Sequence, residues 1–580
     1  MTKLFNDPAR FAEEALAGFC DANANLVRQV PGGAIRRHRS AAPKVAVLAG
    51  GGSGHYPAFA GFIGPGLVDG AVVGNIFTSP SAQQAYAVAK AADQGAGVVF
   101  AYGNYAGDVM NFGLATERLA AEAVAVDNVV VTDDIASAAP GESAKRRGIA
   151  GDFTVFKVMG AAAEAGASLA EVVRLGRKAN SSTRTIGSAF HGCTFPGADA
   201  ALFTLGEMQM GLGLGIHGEP GLLDMALPTA DELGRELVAR ILAETPSGSG
   251  QRIAVVLNGL GSTKYEELFV LWGTVAPLLR GAGYELVMPE VGELVTSLDM
   301  AAVSLTVTWL DDELEPLWCA PAESPAYKRG NVASPAGQDD WIEAGGTVPG
   351  GARYSAGDDS KAYARRCVAA LEAAARAVHD AEAMLGDLDA IAGDGDHGRG
   401  MVRGIDAAVA AAVGTLGLGA GAGTVLAEAG DAWADKAGGT SGVLWGAGLR
   451  SLGETLGDST APTPGRLLEA VNAFAARIQG LGKAEPGDKT MVDALVPLTA
   501  AFGRHLAEGV DVAAAWTAAA VEATAAAAAT AGLRPRLGRA RPLAEKSIGT
   551  PDPGATSLAM VFTVMGPHLA NINQLAAAKQ

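Results

Sequence analysis

Near Pro321 the chain stops reading as one kind of polymer, and by about Asp358 it has become another. Upstream, short β-branched runs alternate with helix-like segments. Downstream, the sequence is alanine-rich and helical in its spacing, with no convincing strand. The stretch between them, PAESPAYKRGNVASPAGQDDWIEAGGTVPGGARYSAG, is rich in Pro, Gly, Ser and Ala and has little periodicity. Such a break favours two folding units joined by a linker. The expected layout is an α/β domain over 1–325, a linker over 326–357 and an all-α domain over 358–577. With 580 residues, the chain can bury a core in each.

In the first domain, strands are expected at 44–49, 97–102, 128–132, 252–258, 284–289 and 303–309, with helices at 81–94 and 153–165. Near-continuous apolar strands separated by helices predict a largely parallel sheet. In the second domain the spacing predicts helices over 360–385, 464–480, 491–506 and 512–531. The uncharged stretch 407–427 reads as a buried helix–loop–helix rather than a membrane span, because glycine-rich alanine segments insert poorly.

Composition excludes several functions. Lys and Arg number 44 against 62 Asp and Glu, a formal charge of −18, which repels nucleic acid and anionic membrane. The four cysteines, Cys20, Cys193, Cys319 and Cys367, form no CxxC pair, and scattered thiols fit a reducing cytoplasm. The N-terminus lacks the apolar run of a signal peptide. There is no GxxxxGK[ST], no protein-kinase HRD or DFG, and no GxSxG elbow. GLGIHG, from Gly213, matches GxGxxG formally but follows no apolar strand.

Two groups of residues carry chemistry. The first is LDAIAGDGDHGRG, which sets Asp389, Asp394 and Asp396 within eight residues with glycines between them. Carboxylates this close repel unless a cation neutralises them, and a hard ion such as Mg²⁺ or Ca²⁺ suits oxygen ligands. A solvated acidic loop capping the next helix is the alternative. Phosphate-binding character recurs at GGTSG with Thr440 and Ser441, from Gly482 to Thr490 and Met491, and at SIGTPDPGA, preceded by Arg539, Arg541 and Lys546. Such loops at helix starts suit a magnesium nucleotide. The second group lies in the first domain. GGGSGH ends in His55 after a strand, GNYAGD brings Asp108 after another, and GLGLGIHGEPG holds His217 between glycines. Acid and imidazole together suit proton transfer with a small polyol, or imidazole attack on a carbonyl. Surface imidazoles are the plain alternative.

These motifs, with NSSTRTIG, KAEPGDKTM and SIGTPDPGATS, resemble the dihydroxyacetone kinase family in order and across nearly the whole chain. The resemblance is to the single-chain, ATP-dependent form. It implies an α/β ketose-binding domain and a nucleotide domain built as a barrel of antiparallel helices. It implies that His217 bonds covalently to a ketose carbonyl as a hemiaminal, that Asp108 is the base and that His55 assists. Gly52, Ser53 and Gly54, with Tyr56 and Gly103, would line the substrate site. Asp389, Asp394 and Asp396 would hold two Mg²⁺ ions on ATP. His397, Gly398, Thr440, Ser441, Gly482, Thr490, Met491, Lys546, Asp552, Pro553 and Gly554 would surround the nucleotide. A homodimer through the ketose domain is implied as well.

The sequence departs from the family pattern. The usual GHEPAHAG reads GHYPAFAG, so Tyr56 and Phe59 replace polar residues. The usual KNYTGD has Gly103 for its lysine, and GERS has Lys546 for its arginine. Losing that lysine and gaining an aromatic wall points to erythrulose over dihydroxyacetone. Cyclisation of FAD by the nucleotide domain, or a non-enzymatic ketose sensor, are the competing functions.

Overall fold

The structure is a computed structural model that describes residues 2–40, 42–206, 208–331, 354–393, 395–537 and 544–569. The chain divides into two compact units, Met1–Gly346 and Thr347–Gln580. Among the described residues the first carries two mixed sheets and a two-stranded ribbon with helices, and the second is all-helical.

The first sheet runs Val27–Val30, Gly33–Arg36, Gly70–Ile76, Ala46–Ser53, Val98–Gly103, Val126–Val131. Its last four strands are parallel, whereas Val27–Val30 and Gly33–Arg36 form an antiparallel edge. The second sheet is built around Arg252–Gly259, Ala301–Trp309 and Thr183–His191, which pair antiparallel. The expectation of a largely parallel sheet therefore holds for one sheet and fails for the other. Strand 183–191 explains the failure. Thr183 and Thr185 are buried and bond through their hydroxyls to Thr308 and Thr306, at 2.9 and 2.8 Å. Inward threonines that satisfy one another hide a core strand behind a polar sequence. The expected strand at 284–289 shrinks to Glu285–Leu286.

Helix Gly151–Glu164 packs against strands of both sheets. Every residue from Gly151 to Ala163 is buried, which is why the segment is apolar almost all round. Helices Ala82–Ala92 and Ala106–Ala121 cover the other face of the first sheet, and helices Ala230–Ala243 and Tyr265–Gly281 that of the second. Ser81 and Gln84 close a capping box at the first of these. Below the first sheet, Asp69 is buried between Lys44 (2.7 Å) and Arg36 (2.9 Å), with Glu164 beside both cations. Tyr327 and Arg329, read from sequence as linker, belong to this unit: both are buried, and Lys328–Arg329 pairs with Ala322–Glu323.

Among the described residues of the second unit, eight long helices pack each on the next: Asp358–Asp380, His397–Gly417, Ala422–Ala437, Gly439–Leu456, Pro464–Gly482, Val492–Ala507, Val512–Ala529 and Pro553–Leu569. The last returns to the first, closing the ring. Glycines set its tightest seam. A Cβ at Gly446 would lie 2.5 Å from the Gly430 carbonyl oxygen, and one at Gly453 would lie 2.4 Å from that of Gly423. The four occur seven apart on facing helices, so their backbones approach along one stripe. Trp433, Trp445, Phe474, Phe562 and Trp516 pack as a continuous run of rings. Val512–Gly532 is long and apolar enough to cross a membrane by length and composition, but here it packs against Val492–Ala507 and Pro553–Leu569.

Candidate active site

Three loops build the site of the first unit. The strand Ala46–Ser53 delivers His55 at its carboxyl end, where α/β sheets present ligand-binding groups. The loop after the short strand Gln209–Leu212 delivers His217. The segment 294–298 ties both down: Leu298 N–H donates to Gly54 O (2.7 Å), and Ser297 Oγ donates to Ile216 O (2.5 Å). Asn258 fixes that segment by accepting from Leu294 and Val295 N–H at 2.8 and 3.0 Å.

The two imidazoles meet edge to face, with Nε2 to Nε2 at 3.0 Å. His55 is 2 % exposed, and its Nδ1 lies 2.7 Å from the Thr296 carbonyl oxygen. Burial, reinforced by His217, pushes its pKa down to about 3. His217 Nδ1 lies 3.0 Å from Glu219 Oε1. Phe77 stacks on His55 at 4.9 Å, and Phe77 and Tyr105 set their rings across His217 at 5.0 and 4.8 Å.

Asp108 enters in the first turn of Ala106–Ala121. Burial lifts its carboxyl to about 7, against the opposing pull of the Ser79 hydroxyl and His217. Its Oδ1 is buried without a hydrogen-bond partner, as is the Tyr105 hydroxyl. Two unpaired polar atoms next to an imidazole suit a hydroxylated ligand. A carboxyl near 7 can take a proton at neutral pH.

The structure places the remaining expected residues differently. At the glycine loop the space a side chain would take is occupied by the protein itself. A Cβ at Gly51 would strike the Phe59 ring (2.6 Å), one at Gly52 the backbone of Phe77–Thr78 (2.6 Å), and one at Gly54 the Phe77 ring (2.7 Å). Ser53 Oγ donates to Gly74 O at 2.6 Å. Tyr56 is 53 % exposed and edges against Phe19, so it forms no wall of the histidine pocket. Phe59 lies behind Gly51 and His55. The aromatic wall is Phe77 and Tyr105, with Phe195 behind Phe77 at 5.3 Å. At Gly103 a Cβ would come 3.0 Å from the Tyr105 ring and 3.1 Å from Gly148 O, so a lysine there requires the neighbours to shift. Sequence reasoning left out Thr296, Glu219, Arg147 and Phe77. Of these, only Glu219 stood inside a motif already singled out.

The helical unit gathers the second group at helix ends. Asp389 lies in the last turn of Glu382–Ala390 and accepts from Gly395 N–H at 2.9 Å. Asp396 precedes the helix that begins at His397 and Gly398. His397 Nε2 lies 2.9 Å from Ser557 Oγ. Thr440 and Ser441 open Gly439–Leu456, and Gly482 ends its own helix against Leu444 of that one. Asp493 accepts from Gly487 N–H (2.5 Å) and Thr490 N–H (2.8 Å), which shapes the turn before Met491. The turn Asp552-Pro553-Gly554 packs on Met491 and is capped by Asp552, which accepts from Ala555 N–H at 2.7 Å. Lys546 is exposed in the short helix Ala544–Ser547. Asp394, Arg539 and Arg541 lie outside the described residues.

These acids crowd one another. Burial and the charge of Asp389 raise the Asp396 carboxyl, and burial with Asp493 and Asp389 raises that of Asp552 to about 7. No three acid, histidine or cysteine side chains among the described residues converge as a ready cation site. Repelling carboxylates of this kind nevertheless fit a divalent cation, which would relieve them.

Known proteins share both halves. The Dak1 domain matches residues 17–326 and the DAK2 domain residues 391–566. A protein named D-erythrulose kinase from Mycolicibacterium smegmatis is 58% identical over 97% of each chain. One named L-erythrulose kinase from Pectobacterium atrosepticum is 52% identical over 98% of this chain and 97% of that one. The human protein named triokinase/FMN cyclase is 32% identical over 97% of this chain and 98% of its own. The crystal structure of the dihydroxyacetone kinase from C. freundii in complex with AMP-PNP and Mg²⁺ is 29% identical, covers 97% of this chain and 99% of that one, and superposes with a TM-score of 0.51. Both domains in one chain, matched end to end by these relatives, show that the chain belongs to the dihydroxyacetone kinase family as a single-chain member.

Proposed function

We propose that the protein phosphorylates a terminal hydroxyl of a short-chain ketose with MgATP, and that the ketose is erythrulose in preference to dihydroxyacetone. A phosphotransferase with an alcohol acceptor follows from the family. The ketose follows from the relatives named for erythrulose, which match nearly the whole chain at 58% and 52% identity. The observation that carries the chemistry is the accessible edge of His217, 22% exposed, backed by His55 and Glu219 and beside Asp108, whose Oδ1 has no partner.

In this reading His217 Nε2 adds to the ketose carbonyl carbon, and the π pair moves to the oxygen, giving a hemiaminal. Addition to a carbonyl selects ketoses over polyols. Asp108 takes the proton of the terminal hydroxyl as its oxygen attacks the γ-phosphorus, and the bond to the leaving ADP oxygen breaks. Asp389 and Asp396, with Asp394, would hold Mg²⁺, two ions in the family pattern. When bound, it neutralises charge on the transferring phosphoryl group. Thr440, Ser441, Thr490 and the Asp552 turn would orient the nucleotide. The protein would act in the cytoplasm as a homodimer.

Steady-state kinetics with ATP and Mg²⁺ on D-erythrulose, L-erythrulose and dihydroxyacetone test this. One erythrulose enantiomer should exceed dihydroxyacetone in kcat/KM by roughly 10–200-fold, the scale of one carbon unit in a pocket. Equal or better turnover of dihydroxyacetone would defeat the substrate reading. Likeness to the human triokinase/FMN cyclase favours a second activity, cyclisation of FAD with release of AMP. Incubation with FAD and a divalent cation detects it directly.

A further inference from the structure

The two facing imidazoles each turn Nδ1 toward an oxygen that can only accept. His55 Nδ1 faces the Thr296 carbonyl at 2.7 Å, and His217 Nδ1 faces Glu219 Oε1 at 3.0 Å. Neither a carbonyl nor an ionised carboxylate has a proton to give, so both Nδ1 atoms carry one. Glu219 is ionised: burial works against its charge, but His217 and Arg147 hold its carboxyl well below the usual range. Its second oxygen, Oε2, accepts the backbone N–H of His217 at 2.9 Å. The carboxylate is thus clamped, bidentate, to the residue two positions before it.

A further layer braces it. Arg147 Nη1 stands 3.8 Å from Glu219 Oε2, and Arg147 is itself fixed by Asp134 at 2.7 Å. A Cβ at Gly215 would lie 2.1 Å from Glu219 Oε2 and 2.6 Å from Arg147 Nη1, so the carboxylate and guanidinium occupy the space a side chain there would need. The charged and titratable groups around His217 are therefore His55, Glu219, Arg147, Tyr105 and Asp108.

We propose that Glu219 is a positioning residue that keeps the proton of His217 on Nδ1, and so leaves Nε2 as the atom that attacks the ketose carbonyl. This rests on the reading of His217 as the capturing residue. With both Nδ1 atoms protonated and the buried His55 neutral, the two Nε2 lone pairs face each other at 3.0 Å, an opposition that capture relieves by committing the His217 pair to carbon. On capture the Nε2 lone pair forms the N–C bond, the carbonyl π pair moves to oxygen, and that oxygen takes a proton from water. The charge ends on the His217 imidazolium, whose Nδ1–H stays on Glu219. An amide at 219 would break the arrangement. It offers one acceptor and one NH₂ to two donors, and so pushes His217 toward the Nε2–H tautomer.

The test uses the full-length protein with ¹⁵N-labelled histidine. Ring-nitrogen NMR without ketose reads the tautomer, and intact mass with erythrulose reads capture. Wild type should show Nδ1–H on His217, with His217→Ala assigning the signal. Glu219→Gln should shift the ring to Nε2–H and weaken capture about 10- to 100-fold, as when the carboxylate partner of a metal-bound imidazole is removed. Its MgATP affinity should not change. Glu219→Asp should keep Nδ1–H and recover part of the capture. If Glu219→Gln does not fold, Arg147→Lys, which loosens the brace, should weaken capture in the same direction. An unchanged tautomer in Glu219→Gln, or equal loss of capture in the Gln and Asp variants, overturns the proposal. A wild type that never forms an adduct overturns the capture reading, while the tautomer shift still decides whether Glu219 holds the ring.

Discussion

His55 and His217 in the first unit, and Asp389 and Asp396 in the second, sit in glycine-rich loops, yet their surroundings are opposite. Each Nδ1 of the histidine pair already meets an oxygen, at 2.7 and 3.0 Å. Burial and neighbours of their own sign raise Asp396 above its ordinary value and Asp552 to about 7. One site is held by the protein's own hydrogen bonds, and the other keeps acids that repel one another, which a cation would relieve. The difference suits the proposed reaction, in which a neutral sugar would need a ready nucleophile whereas a polyphosphate would bring its own metal.

The largest expected effect breaks the ketose side only. His217→Ala should lower kcat/KM for erythrulose at least about a thousandfold, the scale on which loss of a covalent nucleophile acts. Calorimetry should find its MgATP affinity unchanged. Next in size is a change beneath the same unit. Asp69→Asn leaves Lys44 and Arg36 buried beside a neutral amide, with only the partly exposed Glu164 for a carboxylate. Urea unfolding of the ketose unit should show a loss of about 3–5 kcal/mol, with the helical unit's transition unmoved.

Asp396→Asn sharpens the comparison from the other side. It should weaken MgATP binding about 10- to 100-fold by calorimetry while ketose capture persists. Because it also removes a carboxylate that Asp389 repels, the nucleotide-free helical unit should be no less stable than wild type in urea unfolding. Unchanged MgATP affinity would reduce the acid loop to a helix cap.

These contrasts also mark what the sequence could say. The helical spacing of the second half and the strands ending in glycine were legible, because each is a local pattern, whereas Tyr327 and Arg329 gave no local sign that they are buried in the first unit. The strand Gly70–Ile76 sits between Ala46–Ser53 and Gly33–Arg36 in the first sheet, but its glycine-punctuated sequence concealed it. Strand 183–191 hid its threonines by pairing them with one another. In the site, glycine-flanked histidines announced themselves. Their partners did not: Thr296 lies 241 positions from His55 in the chain, a separation no local pattern spans. The aromatic wall shows the same limit. Tyr56 stood beside the motif but faces Phe19 and solvent, while Phe77 reaches the imidazoles from the end of another strand.

The smallest effect is a pH dependence. The Asp108 carboxyl, raised to about 7 by burial, accepts a proton only when ionised. Under saturating MgATP, kcat should rise with pH up to about 7 and fall about tenfold per unit below it. Asp108→Asn should remove that limb along with most of the activity. A flat profile from pH 5 to 8 would assign the base elsewhere.

The division of labour stands or falls on one measurement, the intact mass of wild type and His217→Ala after exposure to erythrulose without nucleotide. The account predicts a gain of one whole ketose in wild type, retained by Asp396→Asn and absent from His217→Ala. An adduct that persists in His217→Ala, or that forms only when MgATP is present, would contradict it.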